Sequence, residues 1–129
     1  MRNVLLLVVV LLAALGAAVS FSFQGRRSQE PRTIVLVARD MAFVAEPAAG
    51  PNPAITLRPG ERLRLVLRNQ DRGMKHDLAI RTLGLRTRVL DYGESDALVI
   101  TAPEQPGTLE YFCSFHPFLM RGSLVVAPR

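Results

Sequence analysis

The sequence predicts an all-β domain of Greek-key sandwich type, preceded by an N-terminal hydrophobic helix. Past residue 32 the apolar residues recur at every second position in short runs, the period of a strand with one buried face. Clusters of proline and glycine punctuate those runs and leave about seven short strands, the pattern of a sandwich rather than of alternating strands and helices. Ahead of them, Val4 to Phe23 carries no charge and follows the short positive head Met1-Arg2-Asn3.

That leading segment, residues 1–23, is long enough to span a bilayer as a helix of about 20 residues. Its most apolar part, Val4 to Leu15, also has the length of a signal-peptide core. A cleaved signal peptide and a retained transmembrane anchor both fit. Gly16, Ala17, Ala18 and Ser20 are small enough for a processing region, but no clean A-x-A site is present, which tilts the reading towards an anchor. No cysteine follows the apolar core, against a lipid-attached form. On either reading the remainder is exported, to the periplasm or the extracytoplasmic face of a membrane. Residues 24–32, rich in Arg, Ser and Gln, read as a tether, and residues 33–129 make one domain of ordinary size.

Thr33 to Ala38 is the first strand, and Met41 to Val44 continues extended. Glu46 to Pro53, with three prolines and a glycine, is an exposed loop. Ile55-Thr56-Leu57 leads into the turn Arg58-Pro59-Gly60-Glu61, where proline fixes φ at the second position and glycine accepts a positive φ at the third. From Arg62 to Arg68, Leu63, Leu65 and Leu67 face one way and Arg62, Arg64 and Arg68 the other, a half-buried antiparallel strand. After the polar loop Asn69 to Lys75, His76 to Arg81 resumes the alternation with His76, Leu78 and Ile80 inward. Leu83 to Ser95 reads as a long loop with a short helical turn. Asp96 to Ala102 is a strand and Pro103 to Gly107 a turn. Thr108 to Cys113 is a strand with Leu109, Tyr111 and Cys113 inward, and Ser123 to Ala127 closes the domain.

The net charge of +5 comes almost wholly from arginine, Lys75 being the only lysine. Positive charge can steer a domain to anionic partners or lipid headgroups, but these residues are scattered and read first as solvated strand faces. Nucleic acid is excluded as a partner, since no basic run is interleaved with aromatics and the chain leaves the cytoplasm. A lone cysteine in an exported domain makes no internal disulfide. It is a buried thiol, an intermolecular link or a metal ligand.

The stretch Cys113-Ser114-Phe115-His116-Pro117-Phe118-Leu119-Met120 holds that cysteine and one of only two histidines. Thiolate, imidazole and thioether together form the soft ligand set that copper prefers, given a second imidazole, and His76 can supply it. Taken singly, each residue has a plainer reading: a small buried thiol, a loop histidine, a core methionine. Jointly they suit an ion that changes oxidation state with little rearrangement, with two imidazoles and a thiolate near a plane and a weak axial thioether. Met120 is the axial candidate, and Met74, close to His76, is its rival.

With these residues in view, the sequence resembles the cupredoxins, the small blue copper proteins. Cys113-Ser-Phe-His116-Pro-Phe-Leu-Met120-Arg-Gly122 is similar to the ligand loop of the amicyanins, one residue longer. The approach Gly107-Thr108-Leu109-Glu110-Tyr111-Phe112-Cys113 is similar to that of the plastocyanins, and the Pro59-Gly60-Glu61 turn and Asn69 match the general plan. The resemblance covers residues 33 to 127 and implies one copper ion held by His76, Cys113, His116 and Met120. It also implies that the ring edge of His116 reaches the surface within an apolar patch of Phe115, Pro117, Phe118 and Leu119. Transient redox partners would dock on that patch, unless Phe115 and Phe118 merely pack beneath the loop. One departure is Asp77, where the family commonly has an Asn that ties the ligand loops together. An ionised carboxylate beside the metal would favour Cu(II) and lower the potential, whereas an outward-facing one would do little.

The function so implied is a monomeric carrier of single electrons between exported or membrane-bound redox proteins, and not an enzyme. Catalytic copper centres need further histidines and a dinuclear site needs two bridging cysteines, and neither is available. The alternative is a protein that buffers, delivers or senses copper. Such proteins favour open clusters of Met and His, whereas Met1, Met41, Met74 and Met120 are dispersed.

Overall fold

A computed structural model of the protein describes residues 30–47 and 50–129. The expected hydrophobic helix of residues 1–23, and residues 24–29 of the expected tether, lie outside the described residues. Among the described residues, no helix is long and apolar enough to cross a membrane.

Nine strands follow in order among these residues: β1 (Arg32–Arg39), β2 (Ala42–Glu46), β3 (Ala54–Leu57), β4 (Arg62–Asn69), β5 (Ala79–Ile80), β6 (Leu85–Arg86), β7 (Ser95–Thr101), β8 (Gly107–Phe112) and β9 (Arg121–Val126). A 3-10 turn, Arg81–Leu83, links β5 to β6 and ends on Gly84, whose φ of 64° suits a left-handed cap. The strands form two sheets, in the orders β2-β1-β4-β7 and β3-β9-β8-β5-β6.

Alternation sets the inner faces. In β4, Leu63, Leu65 and Leu67 are fully buried while Arg62, Arg64 and Arg68 are exposed. Leu36, Leu57, Ile100, Tyr111 and Leu124 meet them from other strands in one core. The turn before β4 forms as its residues dictate: Gly60 adopts φ 70° and the amide of Glu61 donates to the carbonyl of Arg58 at 3.0 Å.

Three expectations need correction. β4 is antiparallel only to β7; on its other side it runs parallel to β1, and β3 likewise runs parallel to β9. Nothing in a strand's own alternation distinguishes these pairings, since both bury the same face. The expected strand from His76 to Arg81 is not one ladder. Only Ala79 and Ile80 pair within the sheet, whereas His76 makes an isolated bridge to Leu90. Residues 76–80 are all buried, so no exposed face remains there to show a period. The stretch Leu83 to Ser95, expected as loop, contributes β6 and the bridge residue Leu90.

Candidate metal centre

Four segments converge at one pole of the sandwich. Cys113 directly follows β8 and continues the alternation that buries Tyr111, so its sulfur turns into the core. The chain then closes on itself. The amide of His116 donates to the carbonyl of Cys113 at 3.2 Å, that of Met120 to His116 at 2.9 Å, and that of Cys113 to Met120 at 2.9 Å. This double turn brings the imidazole of His116 back over the sulfur three residues before it. His76 arrives from the other side, where its amide and carbonyl both bond Leu90, at 3.1 and 2.8 Å.

The sulfur of Cys113 stands 3.6 Å from Nδ1 of His76 and 3.7 Å from Nδ1 of His116, and the three atoms lie within 4.8 Å of one another. An ion bound trigonally, about 2.0 Å from nitrogen and 2.3 Å from sulfur, sets N···S separations near 3.7 Å, so the cluster fits one shared metal. Met120, at the end of this loop, is fully buried, whereas Met74 is 36% exposed.

The surroundings keep the imidazole of His76 neutral and aimed. Burial pushes its pKa down, and Nε2 lies 2.9 Å from Oδ2 of Asp71, which fixes the proton there and leaves Nδ1 as the lone pair facing the sulfur. Burial also pushes the thiol of Cys113 up, so metal binding must displace its proton. Asp71 is itself held: burial would raise its carboxyl, but hydrogen bonds from the amides of Asp40 and Met41 and from His76 bring it below the ordinary value. Asn69 completes the loop, accepting from the amide of Asp71 at 2.9 Å and donating to the carbonyls of Met74 and Leu90 at 2.8 and 2.9 Å.

Asp77 faces inward, fully buried. Oδ1 accepts the amide of Ser114 at 2.6 Å, which ties the segments of His76 and Cys113 together, and Oδ2 pairs with Nε of Arg86 at 2.7 Å. The carboxylate therefore makes the inter-loop tie and carries its own counter-charge. Sequence reasoning missed Asp71, Leu90 and Arg86. Asp71 left one faint signal, a carboxylate five residues before a histidine in a short polar loop. The other two partners are distant in sequence and left none.

The sequence matches the Cupredoxin-like domain family over residues 5–126. The chain belongs to the cupredoxin-like family. Among solved structures, this cupredoxin-like chain is similar to auracyanin A, a blue copper protein of the green photosynthetic bacterium Chloroflexus aurantiacus. The two share 18% identity over 76% of this chain and 100% of that one, with a TM-score of 0.60. Auracyanin of Roseiflexus castenholzii gives 21% identity, 74% and 97% coverage and a TM-score of 0.59. A reduced Cu(I) form of an amicyanin variant gives 25% identity, 78% and 87% coverage and a TM-score of 0.53. No curated protein sequence matches the chain.

Around the cupredoxin-like site the outer surface is apolar. Phe118 is 88% exposed, Leu119 60% and Phe115 47%, so the two phenylalanines do not pack beneath the loop. His116 is half-buried among them. The loop is pinned from outside by Asn52, whose side-chain amide donates to the carbonyl of Leu119 at 2.8 Å.

Proposed function

We propose that this chain is a mononuclear type 1 copper protein that carries single electrons between redox partners, and not an enzyme. The observation that carries the reading is the buried convergence of the Cys113 thiol with two Nδ1 atoms. A thiolate with two imidazoles selects a soft or borderline ion, and a thioether beside them favours copper over zinc. His76, Cys113 and His116 would hold the ion near one plane and Met120 would be the weak axial ligand. Copper would supply a one-electron couple there. The protein's part is to keep the ligands in place in both oxidation states, which the bonds to Leu90, Asp71 and Ser114 do. The partly exposed His116 within the Phe115, Phe118 and Leu119 patch supports exchange with transient partners at that end.

Buffering or delivery of copper needs an ion that leaves readily, and a buried thiol under a hydrogen-bonded loop does not favour that. Export, with residues 1–23 as signal peptide or anchor, residues 24–32 as tether and a monomeric domain in 33–129, accords with the charge-free N-terminal run.

The deciding experiment is the optical and paramagnetic spectrum of the purified protein loaded with Cu(II). A blue site gives an intense thiolate-to-copper absorption that dithionite bleaches reversibly; a colourless, weakly held Cu(I) would select the trafficking reading. Met120→Leu should shift spectrum and potential while Met74→Leu leaves both in place, and the reverse result would reassign the axial ligand.

A further inference from the structure

The loop between Cys113 and Met120 is bonded chiefly to itself. Among the described residues, only two hydrogen bonds join residues 114–119 to the rest of the protein. At its start the amide of Ser114 donates to Asp77. At its end the carbonyl of Leu119 accepts Nδ2 of Asn52, 67 residues earlier in the chain, at 2.8 Å. Phe118 and Leu119 are 88% and 60% exposed, so side-chain packing does little to hold that end.

Asn52 is itself anchored. Its amide donates to the carbonyl of Phe43 at 2.6 Å, and its Oδ1 accepts the amide of Phe43 at 3.0 Å. Phe43 is fully buried, its ring 5.5 Å from that of Tyr111, so Asn52 is tied to the core at two points. Its φ of 52° is left-handed, a conformation that asparagine accepts better than most side chains. A carboxamide on so short a stem can accept from one backbone segment and donate to another, which a carboxylate cannot.

The peptide joining Leu119 to Met120 is thereby held on both edges. Its C=O takes the bond from Asn52 and its N–H donates to the carbonyl of His116 at 2.9 Å. Because a peptide is planar, fixing both edges fixes the plane and with it the direction in which the Met120 side chain leaves the backbone. A thioether is a weak axial ligand, so the backbone and not the ion must place it.

Resting on the type 1 copper reading, we propose that Asn52 is a positioning residue of that site: it fixes the peptide before Met120, and through it the approach of the axial sulfur. It does so by a hydrogen bond that involves none of the four proposed ligands.

Two variants test this. Asn52→Gly keeps the backbone conformation and removes both side-chain bonds; Asn52→Asp keeps the acceptor for Phe43 and presents an oxygen to Leu119. In the metal-free protein, either change should speed hydrogen exchange at the amides of Met120 and Cys113 about fivefold, the loss of one neutral hydrogen bond, and should speed the amides of β4 less. Loaded with Cu(II), Asn52→Gly should move the absorption spectrum and midpoint potential towards those of Met120→Leu, and should move neither in the Met120→Leu background. Tyr111→Phe, which frees the same connection at Pro53 and spares the bond to Leu119, should lower Tm and leave the spectrum in place. Exchange that is unchanged or raised equally throughout, an unchanged spectrum and potential in Asn52→Gly, or equal shifts in both backgrounds would overturn the proposal. A colourless copper protein would instead refute the type 1 reading, and the metal-free exchange would still decide whether Asn52 holds the peptide before Met120.

Discussion

At the level of single residues, the candidate site depends on carboxylates outside its own His-Cys-His cluster. Asp71 receives the amides of Asp40 and Met41, at 2.8 and 3.3 Å, and both residues sit at positive φ in the β1–β2 turn. One side chain thus fixes an unfavourable turn and the Nε2 proton of His76 together. A carboxylate on Nε2 makes Nδ1 more basic, which stabilises Cu(II) more than Cu(I). Asp71→Asn keeps an acceptor but loses the charge, so the midpoint potential should rise, by about 59 mV for each tenfold selective loss of Cu(II) affinity. Protein-film voltammetry measures this directly, and an unchanged potential with an unchanged spectrum would confine Asp71 to holding the turn. Asp77 should act less on the potential than its burial suggests, because Arg86 balances it.

Between strands, the close pairing of β8 with β9 governs how the ligand loop is launched and caught. Tyr111 pairs across the ladder with Gly122, is fully buried, and donates its hydroxyl to the carbonyl of Pro53 at 2.6 Å. A Cβ at position 122 would run into the Tyr111 ring, so glycine is required there for space and not for its backbone freedom. Gly122→Ala should cost about 1–3 kcal/mol through overpacking, which lowers Tm by roughly 5–20 °C in a domain of this size. Calorimetry of Gly122→Ala beside Gly122→Ala/Tyr111→Leu checks the cause. The second change should recover part of the loss attributed to the clash, and strict additivity would exclude this contact as its source.

Over the whole molecule, the pole opposite the metal centre is closed by charge. Glu61 accepts Nε of Arg32 at 2.6 Å and the amide of Arg58 at 2.8 Å, joining the start of β1 to the β3–β4 turn. Burial pushes its carboxyl up, but the Arg58 amide and the Arg32 guanidinium outweigh that and leave it below its ordinary 4.5. Asp96, held by the amide of Arg88 despite partial burial, is lowered too. A carboxyl whose folded pKa lies below its unfolded one stabilises the fold above the unfolded value and loses that contribution as pH falls through the folded one. Thermal stability should therefore drop on acidification below about pH 4.5. Glu61→Gln should lower Tm at pH 7, by about 1 kcal/mol or less in stability given the half-exposed Arg32, and should flatten the acid limb. A Tm profile from pH 3 to 7 for both proteins tests the sign.

What the sequence alone determined is whatever one face of a strand or the rarity of a residue records. Leu63, Leu65 and Leu67 against Arg62, Arg64 and Arg68 placed β4, and Arg58-Pro59-Gly60-Glu61 placed its turn, because burial and backbone sterics act there residue by residue. Two histidines and one cysteine in 129 residues marked the candidate site for the same reason: little else could furnish its nitrogens and sulfur. Only the tertiary structure decided that β4 lies parallel to β1, that Leu90 clasps His76, and that Asp71, Asp77 and Arg86 support the site. The contacts at the site join short polar or fully buried segments. Such segments carry no periodic signal, and a carboxylate that aims a ligand is written in the sequence just as one that merely meets water.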